Sequence, residues 1–591
     1  MGNFHQRLRH WLGVYVQRIL KCKPGRNNAW AIFCARVLCA AFALIPVSAL
    51  AQTVPDAGVL QQQIERERQL KPLPQRVAPD QPAAPAAMKP GTRAVTVREF
   101  RFVGNTLLKS EELAAAVAGY LNRPLDFAQL QAAAAAVAAA YRQAGWVVRA
   151  YLPAQEITAD TLTIQIVEAV FSGARLEGPD SARVSSAQVL ELISAQQKTG
   201  APLNADALDR ALLVADDLPG VSVAGVLAEG ARAGETALLV KLADEPLIAA
   251  EVSADNAGSR STGRARLSAN LTLNSPFGRG DLVSANLMHT EGSDYLRLAA
   301  SLPVGAEGWR IGASASQLHY RLVAPEFAAL GARGTADTVG LDANYPLIRS
   351  RLMNLYFNAN LDSKHYDNQS SSATTSRYQS QALTLGLSGN RYDALGGGGA
   401  NSASLALTNG TLDLGGSPNL ASDQASTRTH GSFTKWRASL ARQQVLTHEV
   451  SLYTAASVQR ARKNLDSSEK FFLGGVSGVR AYPSSEAGGA EGELLNVELR
   501  WRLPEGVTLT AFHDYGRVRV NKDNSLAAAA PNLITLKGHG VSAAWQAPFG
   551  VQLKATWARR EGSNPNPTST GLDQDGSLIR NRVWVTASLA F

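Results

Sequence analysis

The chain has 591 residues, which is too many for one ordinary domain, and it carries 58 Lys and Arg against 49 Asp and Glu. Seven of the basic residues and none of the acidic residues precede Gln52, which leaves 51 basic against 49 acidic side chains in the remainder. Because the basic excess is confined to this first segment, the charge balance argues against a nucleic-acid partner.

The first 51 residues have the order of a secretory signal peptide. A basic segment is followed by an apolar run over residues 37–46 and by Ala49-Leu50-Ala51, so we expect cleavage between Ala51 and Gln52. A membrane anchor is the alternative, but the apolar run is shorter than the roughly 20 residues that a spanning helix needs. All the cysteines precede this site, so we expect the exported chain to contain no disulfide and no thiolate metal site. They are Cys22, Cys34 and Cys39.

Residues 52–71 are predicted to form a short polar helix. Leu60 and Ile64 lie one turn apart, but this apolar stripe is too thin to bury against a core, which is typical of a solvated tail. Residues 72–94 contain six prolines and predict an extended linker. Such a linker would tether the helix while letting it move.

The next 150 residues contain one pattern twice. Residues 95–169 predict a strand, helices over 107–121 and 128–141, and strands over 146–152 and 162–167. Residues 170–245 predict a helix around Val189, a second helix over 205–215 that stops at Leu218-Pro219-Gly220-Val221, and a closing strand over 236–242. Each repeat, at roughly 75 residues, is long enough to bury a modest core.

Residues 246–591 alternate between apolar and polar side chains with a period of two. Leu383, Leu385 and Leu387 are examples, and no run approaches 18 apolar residues. One apolar and one polar face suit a transmembrane barrel with lipid outside and water inside, although a single strand of a soluble sandwich would alternate in the same way. At about 20–22 residues per strand and connection, the segment predicts an even number of strands near 16.

Residues 464–493 form a glycine-rich loop between two predicted strands. Leu473-Gly474-Gly475 is followed by Val479-Arg480-Ala481-Tyr482-Pro483. Because glycine permits a positive φ and close backbone approach, we expect this loop to fold back into a confined space. An ordinary surface loop is the alternative.

These motifs resemble those of the two-partner secretion transporters, the ShlB/FhaC/HecB family. The Leu-Gly-Gly and Val-Arg-Ala-Tyr-Pro sequences resemble the sixth extracellular loop of that family, and Phe512-x-Asp514-x-Gly516 matches its strand motif. Gly104-Asn105-Thr106 and the Leu-Pro-Gly-Val stop resemble polypeptide-transport-associated (POTRA) domains. The last residue, Phe591, resembles an outer-membrane barrel targeting signal, which implies recognition by the barrel assembly machinery.

The resemblance implies a fold and a location. The expected fold is a transmembrane antiparallel β-barrel of about 16 strands over residues 246–591, preceded by two α+β POTRA domains over 95–169 and 170–245. The POTRA domains would lie in the periplasm and the barrel in outer-membrane lipid. The polar helix over 52–71 would then rest as a plug inside the pore.

The resemblance also implies an activity. The family exports one large partner exoprotein, of haemolysin or adhesin type, and its POTRA domains capture the N-terminal secretion domain of that partner. The functional loop motif would be Val479, Arg480, Ala481 and Tyr482, and the strand motif Phe512, Asp514 and Gly516. A guanidinium binds a carboxylate bidentately, so Arg480 is expected to pair with Asp514 if that strand face is the lumen face. Two unrelated solvated charges are the alternative. Phe512 and Gly516 are expected to leave room beside them for the ring of Tyr482 to stack.

The sequence contains no catalytic constellation. It has no phosphate-binding glycine loop before a lysine, and its nine histidines show no metal-ligand spacing, so we expect neither enzyme activity nor a cofactor or metal. Two alternatives to a secretion transporter remain, a barrel-assembly insertase of the same superfamily and a passive porin. The presence of only two repeats and a polar helix argues against the insertase, and porins lack such repeats.

Overall fold

The computed structural model describes residues 55–69, 95–155, 160–371, 373–484, 486–526, 529, 531–568 and 571–591. The predicted signal peptide over 1–51 and the predicted linker over 72–94 lie outside these residues. The described residues fold as a lone N-terminal helix, two small α+β domains and a large β-barrel.

The lone helix and the first α+β domain, POTRA1, come first in the chain. Their elements are α1 (Ala57–Gln69), β1 (Val95–Thr96), β2 (Glu99–Val103), α2 (Ser110–Val117), β3 (Pro124–Leu125), α3 (Phe127–Gln143), β4 (Val148–Tyr151) and β5 (Thr161–Glu168). The helix expected over 107–121 is wrong in its bounds, since α2 is shorter and gives way to a 3-10 turn at Ala118–Tyr120. The helix α3 begins at a capping box made by Asp126 and Gln129, which satisfies backbone N–H groups of its first turn.

The POTRA1 motif residues converge on one carboxylate, that of Glu168. It accepts hydrogen bonds from the Thr106 hydroxyl, from the backbone N–H groups of Thr106 and Leu107, and from the Tyr141 hydroxyl at 2.8 Å. Burial would raise the pKa of Glu168, but these donors favour the charged form and the net pKa lies below its usual range. Gly104 has φ +91°, and a Cβ there would lie 2.3 Å from the carbonyl oxygen of Ile166. The motif therefore fastens the β2–α2 turn onto the end of β5.

The second α+β domain, POTRA2, has its own apolar core. Its elements are β6 (Val170–Leu176), α4 (Ser186–Gln196), α5 (Ala205–Asp216), β7 (Val221–Glu229) and β8 (Glu235–Asp244). The sheet order is β6-β8-β7, so β7 is an edge strand, and both helices pack on one face of the sheet through Val189, Ile193 and Leu208. The sequence pattern predicted α4, α5 and β8 but identified neither β6 nor β7.

The rest of the chain forms a closed antiparallel barrel of 16 strands. In chain order the strands and one short loop helix are β9 (Ile248–Asp255), β10 (Arg266–Asn274), β11 (Leu282–Thr290), β12 (Ser293–Val304), β13 (Trp309–Arg321), β14 (Arg333–Arg349), β15 (Met353–Ser370), β16 (Ala373–Asp393), β17 (Gly399–Asp413), α6 (Leu420–Ala425), β18 (Gly431–Val445), β19 (Val450–Ala461), β20 (Phe471–Phe472), β21 (Gly488–Gly489), β22 (Glu491–Arg502), β23 (Val507–Arg519), β24 (Leu533–Gln546), β25 (Val551–Arg560) and β26 (Asn581–Ala590). Here β20 and β21 pair only with each other, inside the loop between β19 and β22. Closure pairs β26 with β9, where Leu589 lies opposite Val252.

The alternation of apolar and polar residues corresponds to the two faces of the barrel wall. Leu383, Leu385 and Leu387 are exposed on the outer face, where lipid covers them, whereas Phe512 and Asp514 are buried on the inner face. Phe591 exchanges backbone hydrogen bonds with Ala250 at 2.8 and 2.9 Å, so the last residue extends the closing strand pair. Its side chain is exposed on the barrel surface. In the part of the chain that is described, no helix is long and apolar enough to cross a membrane.

POTRA2 rests against the end of the barrel that carries the short turns. Arg349, at the end of β14, holds Asp217 with two hydrogen bonds of 2.8 Å, and Arg351 pairs with Asp209 at 2.7 Å. Gly220 of the Leu-Pro-Gly-Val stop has φ +92°, and a Cβ there would lie 3.0 Å from Ser275 of a barrel turn. This end of the barrel faces the periplasm, and the longer loops at the other end face outward.

Candidate functional site in the barrel lumen

The loop between β19 and β22 folds back into the barrel. Here the lumen loop means its described residues 462–484 and 486–490. Leu473, Val479 and Ala481 are fully buried against the barrel wall. The loop turns too tightly for side chains at two of its glycines, because a Cβ at Gly478 would lie 1.8 Å from the carbonyl oxygen of Leu473 and one at Gly474 1.9 Å from that of Pro483. The many glycines of this loop are therefore explained by the small space into which the loop folds.

Arg480 and Asp514 meet at the centre of this site. Nε and Nη2 of Arg480 donate to the two carboxylate oxygens of Asp514 at 2.9 and 2.7 Å, and the backbone N–H of Arg480 donates to the same carboxylate at 3.0 Å. Asp514 is fully buried and Arg480 is 5% exposed. The fork of donors fixes the orientation of the loop as well as neutralising the charge.

Several groups that the sequence analysis did not identify complete this centre. The third guanidinium nitrogen, Nη1, donates to Glu498 at 2.7 Å, and the guanidinium lies 3.5 Å from the ring centroid of Phe512. Trp584 donates its indole N–H to the carbonyl oxygen of Arg480 at 2.7 Å. Asn496 bridges Asp514 and the carbonyl oxygen of Gly478 at 2.7 and 3.1 Å. The lumen loop is therefore tied to β22, β23 and β26 together.

The alternation of polar and apolar residues along β22 indicated the lumen side for two of these groups, Asn496 and Glu498. Asn496, Glu498 and Arg500 occupy one face of the strand, and Leu495, Leu499 and Trp501 occupy the other. Polar residues in a row on a barrel strand indicate the lumen side. Trp584 carried a similar signal, because it lies between Val583 and Val585 on β26 and shares its face with Arg582.

Small residues on the wall leave room for the loop. A Cβ at Gly516 would lie 2.7 Å from Leu473, and a Cβ at Gly538 would lie 2.6 Å from Ala481. Gly516 is therefore a contact surface for the loop, on the same strand face as Asp514.

The predicted stacking of Tyr482 near Phe512 is wrong. Phe512 packs under the guanidinium of Arg480, and the space beside Gly516 is filled by Leu473 and Val479. Tyr482 is buried elsewhere, with its ring 4.9 Å from the guanidinium carbon of Arg560. Arg560 in turn makes a buried two-pronged ion pair with Asp573, in the loop between β25 and β26.

A second buried carboxylate lies at the outer end of the loop. Glu486 accepts hydrogen bonds from Asn566 and from the backbone N–H of Gln574, both at 3.0 Å. Burial, with a smaller contribution from the nearby Asp573 charge, raises the pKa of Glu486 to about 7. Residues Asn566 and Gln574 are thus held against the lumen loop by hydrogen bonds to this carboxylate.

The helix α1 lies inside the barrel, beside the lumen loop. Glu65 pairs with Lys364 at 2.9 Å and Glu67 with Arg266 at 2.6 Å, while Arg66 donates to the loop carbonyl oxygen of Ser477 at 3.0 Å. Asp56 accepts from the backbone N–H of Val59 at 2.8 Å, which caps the helix, and from the hydroxyl of Ser467.

The expectation that the apolar stripe of α1 is too thin to bury is wrong. Ala57 and Leu60 are buried among aromatic and aliphatic side chains of the lumen, including Tyr320 and Tyr366. Tyr320 and Tyr366 lie about 260 or more residues away in sequence, so the helix pattern alone could not reveal them. The structure thus favours the pore interpretation over a solvated tail.

The side chains of this site hold other parts of the protein in position. Among the described residues no group of three or more His, Cys, Asp or Glu side chains is placed to hold a metal ion. The charged residues at the centre are held by hydrogen bonds and oppositely charged partners. They fix one loop and one helix inside the barrel.

A membrane barrel with tandem periplasmic POTRA domains, a lumen helix and an inward-folded loop defines an outer-membrane polypeptide transporter. The family model for the haemolysin secretion/activation protein ShlB/FhaC/HecB matches residues 234–538, and the model for the ShlB-type POTRA domain matches residues 95–169. The chain belongs to this family of two-partner secretion transporters.

Individual relatives agree with this assignment. The heme/hemopexin transporter protein HuxB of Haemophilus influenzae (strain 86-028NP) is 27% identical over 511 residues, which cover 83% of this chain and 89% of the relative. The outer membrane transporter CdiB of Dickeya dadantii (strain 3937) is 25% identical over 484 residues, which cover 79% and 81%. The solved structure of CdiB from Escherichia coli matches the fold with a TM-score of 0.67 and 22% identity, over 92% of this chain and 100% of that one.

Proposed function

We propose that this protein secretes one large partner exoprotein, of haemolysin or adhesin type, through its barrel by two-partner secretion. The observation that carries the proposal is the combination, in one lumen, of a helix and an inward-folded loop, each of which makes polar contacts with its surroundings. Glu65, Arg66 and Glu67 of α1 lie at partly exposed positions, where such contacts are individually modest, so a passing chain can displace this helix.

The Arg480–Asp514 pair is proposed to position the lumen loop for this transport. It joins the loop to β23, while Glu498 and Trp584 join the same loop residue to β22 and β26. The motif residues Val479, Ala481 and Tyr482 are proposed to support this position by packing against the wall, because all three are buried.

Capture of the partner is proposed to occur on the POTRA domains. The strand β7 pairs only with β8, so its other backbone edge is open, and adjacent residues Val226 and Leu227 are both exposed although they point to opposite faces. An extended segment of the partner could add to this edge as a further strand. The closed barrel offers no comparable edge.

A binding experiment tests the capture site. The fragment 95–245 contains both POTRA cores and should bind the N-terminal domain of the partner at low salt. Val226→Lys with Leu227→Lys should abolish binding, because lysines on an edge strand oppose further pairing. Phe127→Lys, at an exposed helix position of POTRA1, is the matched control. Binding that needs the barrel would place the capture site elsewhere.

A comparison of exported proteins tests the proposed function as a whole. Quantitative proteomics of the cell surface and culture medium should show one large protein lost when the gene is deleted and restored by the wild-type chain. A broad loss of many outer-membrane barrels would indicate the insertase alternative. An unchanged set of exported proteins would indicate the porin alternative.

A further inference from the structure

The outer wall of the barrel carries a cluster of basic side chains near its extracellular end. We name this cluster the basic belt. Its members are exposed and lie on β23, β24 and β25: His513, Arg517, Arg519, Lys537, His539 and Arg559. All six point away from the lumen, because they alternate with buried residues such as Asp514 and Gly538.

The strand register places the basic belt directly above an apolar surface. His539 lies opposite His513 on one side and opposite Arg559 on the other. Two residues along the strands toward the periplasm, Val541 lies opposite Ala511 and Trp557 in the same way. Two residues along a strand span about 7 Å, so the outer surface of the barrel wall changes from basic to apolar over that distance.

The apolar surface contains a groove. It spans β19 to β26, encloses about 590 Å³, and is lined chiefly by Leu499, Trp501, Leu509, Val541, Trp557 and Val583. A groove of this volume and lining suits acyl chains.

Half of the basic belt has no acidic partner. In the described part of the chain Arg517, Lys537 and Arg559 make no ion pair. His513 and His539 share Glu561 at 3.4 and 3.0 Å, and Arg519 pairs with Glu491 at 3.3 Å. Three unpaired cations at the edge of a membrane attract anionic headgroups.

The other side of the barrel carries acidic as well as basic side chains on its strands. At the outer ends of β12 to β16, Asp294, Asp337 and Asp367 lie among the basic side chains of Arg321, Arg333, Arg377, His319 and His365. Arg377 and Asp367 form an ion pair at 2.6 Å. The basic excess is therefore a local feature of β23–β25.

We propose that the outer wall of β23–β25 binds a phosphorylated acyl lipid of the outer leaflet, with phosphate groups on the basic belt and an acyl chain in the groove. The groove lies in the lipid-facing band of the barrel, directly below the belt, so an acidic soluble protein could contact only half of the site. A lipid with phosphate and acyl groups matches both halves.

Native mass spectrometry of the detergent-solubilised full-length protein tests this proposal. The probes are diphosphoryl lipid A, monophosphoryl lipid A and phosphatidylethanolamine. We expect retention in that order, highest for diphosphoryl lipid A. Arg517→Gln with Lys537→Gln and Arg559→Gln should weaken retention of diphosphoryl lipid A at least about tenfold.

Three controls separate a specific site from a general effect. Arg321→Gln with Arg333→Gln, on the other side of the barrel, should retain diphosphoryl lipid A as the wild type does. Trp557→Ser should weaken retention by shortening the groove contact. Heat-modifiability should stay normal in every variant, which shows that each barrel is folded. Equal retention of the three lipids, normal retention by the β23–β25 variant, or an equal loss in the control variant would each overturn the proposal.

Discussion

Arg480 is held by charge, by aromatic contact and through its own backbone. Its guanidinium contacts Asp514, Glu498 and the ring of Phe512, and its carbonyl oxygen accepts from Trp584. A buried cation is tolerated only where such partners replace its lost water. We therefore expect the position of the lumen loop to depend on this residue.

Arg480→Ala and Asp514→Ala are each expected to reduce secretion of the partner strongly while the barrel still assembles. Removing one member leaves the other incompletely compensated, which costs about 3–5 kcal/mol at a buried pair. The double variant should be little worse than either single variant, because the second change removes a partner already lost. Secreted partner is measured by immunoblotting and barrel assembly by heat-modifiability.

The control for this pair is Arg502→Ala, an exposed residue at the periplasmic end of β22. It should secrete normally. Fully additive losses in the double variant would mean that Arg480 and Asp514 act separately. Normal secretion by Arg480→Ala would contradict the proposed role of the loop.

Glu486 predicts a pH dependence of the outer loops. Its pKa of about 7 in the folded chain lies above its ordinary value, so the folded state binds the proton more tightly than the unfolded state does. The resulting stability is present at low pH and is lost as the pH rises from about 4.5 through 7. Protection factors over residues 564–568 and 571–574, which are exchange rates corrected for the base-catalysed intrinsic rate at each pH, should therefore be higher at pH 5.5 than at pH 8. In Glu486→Gln this difference should be small, and an equal difference in both chains would show that another group titrates.

The helix α1 predicts a measurable effect on pore conductance. Its polar residues Glu65, Arg66 and Glu67 contact barrel and loop, so their replacement leaves Lys364 and Arg266 without these partners. The variant Glu65→Gln/Arg66→Gln/Glu67→Gln should open more often in planar bilayers, and deletion of residues 52–71 should raise single-channel conductance further. Arg68→Gln, at an exposed position, should behave as the wild type. Unchanged conductance after the deletion would exclude α1 as the plug.

The elements differ in how far the sequence could predict them. The barrel strands were predictable because each one must separate lipid from water, so Leu383, Leu385 and Leu387 alternate with polar residues without help from distant contacts. The pairing of Arg480 with Asp514 was predictable from motifs. The burial of Leu60 and the place of Tyr482 depend on side chains brought near only by barrel closure, and the open edge strand β7 carries too short an alternation to identify.

At the scale of the whole molecule, the POTRA domains lead to one end of a closed barrel whose lumen holds α1 and the lumen loop. The ion pair between Asp217 and Arg349 connects POTRA2 to the barrel, and a hydrogen bond from Arg66 connects α1 to the lumen loop. We propose that the partner passes through this lumen and that α1 must leave its place for the partner to do so.

A reversible tether on α1 tests that claim most directly. A Cβ built at Gly58 lies 3.1 Å from the Cβ of Ser468, just below the roughly 3.5–4.5 Å range of disulfides, so a small outward shift of α1 would let Gly58→Cys with Ser468→Cys cross-link α1 to the lumen loop. The native cysteines all precede Gln52, and Gly58→Cys alone is the control. We expect secretion of the partner to stop under oxidising conditions and to return after reduction. Undiminished secretion with α1 fully cross-linked would contradict the account.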